Sequence, residues 1–284
     1  MKKGINIWSF PDDWSIARCA EVAADAGFDG MELSLNEEGE LGLQTDEKQW
    51  QHIRRQVNDT GLEIAGLATG LYWTYSMTSD DSSVRQQAMD ICKKQLHIAA
   101  ALGVDAILVI PGAVGVSFIP NFPVVPYDVA YERALESITM LSAEAQACGV
   151  DIALENVWNQ FLLSPLEVRQ FIDHVGSPAV GSYFDVGNVV FAGYPEQWIT
   201  ILGDRIKKVH FKDYRRETGT LAGFVDLLAG DVNYPAVMQA LRQIGYDNYV
   251  TAEMIPSYRH HSSQIIYNTS QSMDVILERV QVRG

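Results

Sequence analysis

The feature that most constrains the fold is a regular alternation of short apolar runs with longer helical patterns. Runs rich in branched residues predict strands at residues 4–9, 30–34, 62–68, 104–110, 150–156, 180–185, 206–211 and 249–254. A helical pattern follows each run, and the last one covers residues 270–282. Such alternation is typical of parallel β-α-β units, because the chain must cross back over the sheet between neighbouring strands.

Eight such units in 284 residues predict a closed barrel rather than an open sheet. The glycine-rich phosphate fingerprint that a dinucleotide-binding open sheet carries after its first strand is not evident. No linker or low-complexity stretch divides the sequence, so we expect one domain over residues 1–284. The predicted fold class is α/β, a (β/α)8 TIM barrel, for which about 250 residues is the usual length.

Charge and composition narrow the classes of partner. The formal net charge of −15 repels nucleic acid and anionic membrane surfaces, although a local basic patch could still bind an anion. No stretch approaches the roughly 20 apolar residues of a membrane span, and the first residues contain no apolar signal core. The three cysteines show no disulfide or zinc-knuckle spacing, which favours a reducing compartment. We therefore expect a cytoplasmic protein with no nucleic acid or membrane partner.

Four predicted strands in succession end in residues that commonly bind metals. Glu155, Asp185, His210 and Glu253 stand at the ends of the fifth to eighth strands. The carboxyl ends of barrel strands share one mouth, and neighbouring strands are about 4.8 Å apart, so these side chains can converge. Three carboxylates and one imidazole suit one divalent ion such as Mn²⁺, Mg²⁺, Co²⁺ or Zn²⁺.

Each of these residues also has an ordinary structural interpretation. Asp185 could cap the following helix, and a lone histidine such as His210 is more often a hydrogen-bonded core residue. Glu155 and Glu253 are harder to explain in this way, because a carboxylate following an apolar run needs a partner. The recurrence at four successive strand ends favours a shared metal site.

Five ordered motifs and a sixth near the start carry a family resemblance. They are Leu154-Glu-Asn156, Tyr183-Phe-Asp-Val-Gly-Asn188, Val209-His-Phe-Lys-Asp213, Gly230-Asp-Val-Asn-Tyr234, Thr251-Ala-Glu253 and Gly27-Phe-Asp-Gly-Met-Glu32. With these motifs the chain resembles the xylose-isomerase-like superfamily of sugar isomerases and epimerases over its whole length. It is most similar to the ketose 3-epimerase and L-xylulose-5-phosphate 3-epimerase branches.

The resemblance implies a catalytic pair, Glu155 and Glu253, on opposite sides of a ketose. One glutamate removes the C3 proton and the other returns one, while a cation on O2 and O3 stabilises the enediolate. The resemblance also implies that Arg216 binds substrate near its carbonyl end. Asn188, another candidate for substrate binding, stands where the free-ketose epimerases carry histidine, and this is closer to the phosphate branch.

Further candidate substrate contacts come from the loops. A phosphate could be bound by basic residues after the seventh and eighth strands, namely Lys212, Arg215, Arg216, Arg259, His260 and His261, or these could be solvated. Lys212 could instead pair with Asp213. Trp8 and Trp158 could form an apolar wall beside a sugar or pack the end of the barrel. Glu32 could touch substrate hydroxyls or, as we slightly favour, close the barrel by hydrogen bonding.

The sequence thus predicts a metal-dependent isomerase, an epimerase or isomerase of a small ketose or ketose phosphate. A dehydratase of a cyclic polyol ketone or related acid is the alternative on the same scaffold. A DNA-repair endonuclease is disfavoured by the charge and by the absence of extra metal ligands, and a sugar sensor without turnover by the two intact glutamates. A homo-oligomer, if formed, would use helices or long loops, because a closed barrel has no free sheet edge.

Overall fold

The structure, a computed structural model, describes residues 1–280 and contains the predicted barrel. Its strands are β1 (Lys2–Asn6), β2 (Gly30–Ser34), β3 (Glu63–Ala68), β4 (Ala106–Val109), β5 (Asp151–Glu155), β6 (Val180–Asp185), β7 (Ile206–Phe211), β8 (Asp213–Tyr214), β9 (Phe224–Val225) and β10 (Tyr249–Ala252). Eight of them are parallel and close in the order β1-β10-β7-β6-β5-β4-β3-β2. The prediction of a (β/α)8 TIM barrel is confirmed.

Eight helices cover the outside of the barrel within residues 1–280. They are α1 (Ile16–Asp25), α2 (Glu47–Asn58), α3 (Ser82–Leu102), α4 (Tyr127–Cys148), α5 (Pro165–Val175), α6 (Pro195–Leu202), α7 (Tyr234–Gln243) and α8 (Gln264–Ile276). Every residue of β2, β4, β6 and β10 is buried between this layer and the barrel interior. This accounts for their nearly continuous apolar sequences. None of these helices combines the length and apolar character that crossing a bilayer requires.

Local sequence signals fix several helix ends and therefore the strand starts that follow. Asp46 and Gln49 form a capping box at the start of α2. Ser164 caps α5, and Pro165 occupies its first turn. Gly149 ends α4 in the left-handed conformation, with φ of 65°, and turns the chain directly into β5. The carboxyl end of β5 is thereby aimed at the mouth that holds Glu155.

The structure corrects two predicted boundaries and adds one small element. The first strand is Lys2–Asn6 rather than 4–9, because the Asn6 side chain accepts a hydrogen bond from the Trp8 N–H and starts a 3-10 turn. The last helix begins at Gln264 and ends at Ile276, and the predicted end at residue 282 lies outside the described residues. The loop after β7 contains a small antiparallel hairpin of β8 and β9, which was not predicted from the sequence.

Candidate metal and substrate site

Four side chains from four adjacent barrel strands converge at the mouth of the barrel. Glu155 and Asp185 are the last residues of β5 and β6, His210 lies near the end of β7, and Glu253 follows β10. Each offers one ligand atom, and these atoms all lie within 4.8 Å of one another. All four residues are buried, with exposed fractions between 0% and 7%. The strand-end pattern in the sequence therefore corresponds to a single cluster in space.

His210 connects this cluster to a further buried carboxylate, that of Glu32. Its Nδ1 lies 3.0 Å from Glu253 Oε2, 3.2 Å from Glu155 Oε1 and 3.9 Å from Asp185 Oδ2. Its Nε2 lies 2.7 Å from Glu32 Oε2. A hydrogen bond from Nε2–H to Glu32 leaves the Nδ1 lone pair directed at the three carboxylates in the neutral tautomer. Histidine ligands of metal ions are usually oriented by a carboxylate in this way.

Glu32 is completely buried and makes no contact with the cavity described below. Asn6 Nδ2 and the Tyr183 hydroxyl both donate short hydrogen bonds to its carboxylate. Space for the group comes from Gly66, where a Cβ atom would lie 2.6 Å from Glu32 Oε1. Of the two roles considered for Glu32, this geometry supports hydrogen bonding across the barrel rather than contact with substrate.

The donor set is incompletely satisfied by the protein alone. Three buried side-chain polar atoms in residues 1–280 lack a hydrogen bond, and two of them are Asp185 Oδ2 and Glu253 Oε2. Lys212 Nζ lies 3.2 Å from the first and 2.9 Å from the second, which is ion-pair distance without good hydrogen-bond geometry. Buried oxygens without partners are uncommon. Because a hard or borderline divalent cation prefers oxygen and imidazole ligands, these residues fit such an ion.

Burial and charge shift the titration of the cluster in opposite directions. Burial raises the pKa of Glu155 to about 7, against the lowering effect of His210. Burial also raises the pKa of Asp185. Burial alone would raise the pKa of Glu253, but Lys212 and His210 outweigh it and lower the value to about 2. Burial opposes a charge on His210, yet Glu32 and the other carboxylates raise its pKa well above the ordinary value. The metal-free site thus retains protons that a cation would displace.

Backbone and amide contacts fix the ligand positions. Asn156 Nδ2 donates to the Asp185 carbonyl at 2.8 Å and its Oδ1 accepts from the Asp185 N–H at 2.9 Å. The Asn188 backbone N–H donates to Asp185 Oδ1 at 2.8 Å, and the Asn188 side-chain amide donates to the Asn156 carbonyl at 3.0 Å.

The alternative ion pair of Lys212 with Asp213 is not formed within residues 1–280. Asp213 accepts backbone N–H groups instead.

A cavity of about 460 Å³ opens beside Glu155 and Glu253. Its wall consists mainly of apolar and aromatic side chains, together with five polar or charged ones. The lining residues are Trp8, Thr69, Trp73, Leu108, Ile110, Phe118, Glu155, Val157, Trp158, Asn188, Lys212, Leu221, Ala222, Phe224, Glu253, Ile255 and Pro256. Four of the predicted substrate-binding residues are therefore on this wall: Trp8, Trp158, Asn188 and Lys212.

Arg216, predicted to bind substrate, does not line the cavity. Its Nη2 donates to the Gly193 carbonyl at 3.0 Å, and its guanidinium lies 4.7 Å from the centre of the Tyr194 ring. Its backbone N–H donates to Asp231. Conversely, Leu221 and Phe224 of the hairpin region line the cavity but were not identified from the sequence. The charged and glycine-rich composition of this loop gave no sign of an apolar wall.

A second group of metal-type side chains lies on the outer helices. His97 of α3 and Glu144 of α4 form an ion pair at 2.9 Å, and Cys148 Sγ is 3.9 Å from Glu144 Oε1. His97 is exposed, and the pair is an ordinary surface contact. It is separate from the buried cluster, which is the candidate functional site.

Comparison with known proteins agrees with this arrangement of the barrel. A family model described as a xylose isomerase-like TIM barrel matches residues 20–277. A protein of Escherichia coli K12, provisionally assigned as an L-ribulose-5-phosphate 3-epimerase, is 25% identical over 92% of this chain and 87% of its own length. A 2-epi-5-epi-valiolone 7-phosphate 2-epimerase of an Actinoplanes species is 25% identical over 72% of this chain and 70% of its own.

A solved structure shows the same fold over almost the entire chain. The D-psicose 3-epimerase of Clostridium cellulolyticum H10, crystallised with D-tagatose, superposes with a TM-score of 0.82. The comparison covers 99% of this chain and 100% of that one, at 17% sequence identity. Together with the match over residues 20–277, these findings show that the chain belongs to the xylose isomerase-like TIM barrel family.

Proposed function

We propose that this protein is a divalent-metal-dependent epimerase or isomerase that moves a proton at the carbon next to the carbonyl of a keto sugar. The observation that carries the proposal is that two buried glutamates, Glu155 and Glu253, belong to one cluster of metal-type ligands and also line one cavity. Two epimerases among the sequence relatives support the reaction class.

The proposed chemistry divides the work between the two glutamates. When bound, a divalent cation supplies Lewis-acid polarisation of the carbonyl, which makes the neighbouring C–H acidic. One carboxylate then accepts that proton, and the other, in its protonated form, returns a proton to the opposite face. Glu155 and Glu253 exchange these roles in the reverse reaction, so both must reach the substrate.

Other residues prepare the site for this transfer. His210 and Asp185 complete the set that would hold the cation, and Glu32 orients the His210 ring. The aromatic wall excludes water, which strengthens electrostatic contacts inside the cavity and limits loss of the transferred proton to solvent. Lys212 lies against Glu253 and Asp185 at the cavity surface, where it favours their ionised forms.

Deuterium exchange tests the proposal directly. The protein with Mg²⁺ or Mn²⁺ is incubated in D2O with ketopentoses, ketohexoses and their phosphate esters, and incorporation at the carbon next to the carbonyl is followed by NMR. We expect incorporation by the wild type and a loss of about 100-fold or more in Glu155→Gln and Glu253→Gln. Glu132→Gln, on the exposed face of α4, is the matched control and should exchange normally.

Two outcomes would contradict specific parts of the proposal. Normal exchange in either site variant, with folding verified by circular dichroism, would remove the two-glutamate mechanism. Loss of water from the substrate, detected in the same spectra as a new deoxy or unsaturated product, would instead support the dehydratase alternative, since proton removal next to a carbonyl can also expel a β-hydroxyl.

A further inference from the structure

The composition of the cavity wall restricts the kind of substrate that the proposed enzyme accepts. Apart from Glu155, Glu253 and Lys212, the lining side chains carry no charge within the part of the chain that the structure describes. Thr69 and Asn188 are its uncharged polar members. The remainder is aromatic or aliphatic, as is typical of sites that bind a ligand largely through its apolar faces.

A phosphate group would find no free cation on this wall. Lys212 is the single basic residue among the described residues that line the cavity, and Asp185 and Glu253 already share its charge at 3.2 and 2.9 Å. A phosphate monoester carries about −1.5 to −2 charges at neutral pH and is normally bound by unpaired arginines or lysines. Here it would lie in the same cavity as two carboxylates, with no arginine among the described residues of the lining.

The basic loop residues that could have bound phosphate lie elsewhere. Arg216 is held by Gly193 and Tyr194, and Arg215 Nε donates to the Ala229 carbonyl at 3.3 Å. Arg259, His260 and His261 are exposed to solvent outside the cavity. The phosphate interpretation of these loops, which the sequence permitted, is therefore not supported by their placement.

Two aromatic groups make the wall a surface for sugar rings. Trp158 is wedged against Phe224 and Tyr214, with ring centres 5.6 and 5.5 Å apart, and its Nε1 donates to the Asn188 carbonyl at 2.9 Å. Trp73 packs edge-on against Phe118 at 5.3 Å. Rings held in this way are rigid, and the C–H faces of a sugar ring pack on them by dispersion.

The cavity is also larger than one monosaccharide. A ketohexose, with its dozen non-hydrogen atoms, fills at most roughly 360 Å³ even at the volume that liquid water occupies per oxygen atom. The cavity measures about 460 Å³ and remains open at its mouth. Leu221 and Ile255, two apolar residues of the lining, are 43% and 45% exposed.

We propose that the substrate is an uncharged keto sugar extended by a second ring or a group of similar size, as in a glycoside, rather than a sugar phosphate. This inference rests on the proposed function for the keto group, but its recognition chemistry can be tested by binding alone. The reacting end would face Glu155 and Glu253, and the extension would contact Trp73 or Trp158.

Binding is measured with three probes on the Mg²⁺-loaded protein: phenyl β-D-glucopyranoside, D-fructose 6-phosphate and inorganic phosphate. Ligand-detected NMR and calorimetry should show that the neutral glycoside binds at least about tenfold more tightly than the phosphate ester, a difference of about 1.4 kcal/mol. Inorganic phosphate should not displace it. Equal or tighter binding of fructose 6-phosphate, or no binding of the glycoside, overturns the inference.

Variants locate the bound probe. Trp158→Leu and Trp73→Leu should each weaken glycoside binding by about tenfold, on the scale of a lost aromatic contact. Trp50→Leu, on α2 and outside the cavity, is the matched control. Leu221→Arg places a cation on the exposed rim without altering the core and should improve binding of fructose 6-phosphate by about tenfold. Unchanged affinities in all three cavity variants would also overturn the inference.

The binding and exchange experiments separate this inference from the proposed function. Tight glycoside binding without deuterium exchange on any keto sugar would refute the proposed reaction and leave the recognition chemistry standing. Deuterium exchange seen only with phosphate esters would support the proposed reaction and refute the inference that the substrate is uncharged.

Discussion

His210 Nε2 lies 2.7 Å from Glu32 Oε2, on the side of the imidazole opposite the carboxylate cluster. This contact joins β2 to β7 across the barrel interior and decides which ring nitrogen faces the candidate metal position. The four strand-end residues alone would leave that choice open. We therefore infer that Glu32 positions the His210 ring, although it does not line the cavity.

We expect Glu32→Gln to weaken metal binding by about 10- to 100-fold, because a neutral amide does not raise the basicity of His210 as a carboxylate does. Calorimetric titration with Mn²⁺ checks this, and circular dichroism checks the fold. Glu63→Gln on β3, at the exposed start of the strand, is the control and should bind normally. Unaltered affinity in Glu32→Gln would show that the negative charge of Glu32 does not support metal binding.

Gly66 provides the space that Glu32 occupies. In Gly66→Ala the new Cβ would lie 2.6 Å from Glu32 Oε1 and 3.0 Å from the Tyr183 hydroxyl, so the buried network must shift. We expect a loss of about 1–3 kcal/mol in the free energy of unfolding, as for other overpacked cores, together with weaker metal binding. Gly70→Ala, whose Cβ meets nothing within 4 Å, should be nearly neutral in the same urea titrations. Equal stabilities of the two variants would contradict the crowding at Gly66.

Lys212 stands against the oxygens that would hold the cation. Removing its charge in Lys212→Met should strengthen divalent metal binding by about tenfold, because the Lys212 ammonium group and a cation bound by the same oxygens repel each other. The same change should destabilise the metal-free protein, since Asp185 and Glu253 lose their nearest counter-charge. Metal titration and thermal unfolding with and without chelator measure the two effects. Lys48→Met, exposed on α2, should alter neither quantity; weaker metal binding in Lys212→Met would be the contrary result.

Metal binding should depend on pH through Glu155. Its pKa is raised by burial from 4.5 to about 7, so the folded metal-free protein holds a proton there that the cation must displace. Affinity should therefore fall by about tenfold for each pH unit below 7 through this proton alone, and the raised pKa of His210 should make affinity continue to rise above pH 7. The same sign means that the contribution of Glu155 to the stability of the metal-free fold is fully present below about pH 4.5 and is lost as pH rises to about 7.

Calorimetry at pH 5.5 and pH 8, in buffers with different ionisation enthalpies, measures both the affinity and the released proton. Glu155→Gln removes one titrating group while keeping one oxygen, so its affinity should vary less between the two pH values than that of the wild type, in which Glu155, Asp185 and His210 all have raised pKa values. Equal wild-type affinities at both would exclude proton displacement from Glu155.

The barrel and its ligand cluster could be predicted because their signals are local. An apolar run that ends in Glu155, Asp185, His210 or Glu253 is visible in the sequence, and closure of the barrel then brings the strand ends together without further information. The contact between Glu32 and His210 could not be predicted, because it depends on the register across the barrel and on the space at Gly66.

The structure of the loop after β7 could not be predicted from the sequence. Strands β8 and β9 have two residues each, which is too short for any periodic pattern. The direction of Arg216 is decided by Tyr194, Gly193 and Asp231, which are distant in sequence or exposed. The charges in the loop therefore left phosphate binding and a solvated loop both open, whereas the folded loop turns apolar residues toward the cavity.

Asp213 organises that loop and should control substrate affinity. Its Oδ1 accepts the N–H groups of Tyr214 and Val232 at 2.9 and 3.1 Å, and its Oδ2 accepts that of Leu228 at 2.9 Å. Asp213→Asn replaces one carboxylate oxygen by an NH2 group, which then faces a backbone N–H. Each backbone N–H left without an acceptor costs about 1–3 kcal/mol.

Because Asp213 belongs to the hairpin of β8 and β9, which includes Phe224 of the cavity wall, we expect Asp213→Asn to raise KM or the ligand Kd several-fold while metal affinity stays normal. Asp231→Asn is the matched control in the same loop. Its Oδ2 accepts the Arg216 N–H at 2.7 Å, and an asparagine oxygen can still accept that single bond. Binding of phenyl β-D-glucopyranoside and of Mn²⁺ to both variants measures the difference. A loss of metal affinity equal to the loss of ligand affinity in Asp213→Asn would mean that Asp213 supports the whole mouth of the barrel rather than the cavity wall.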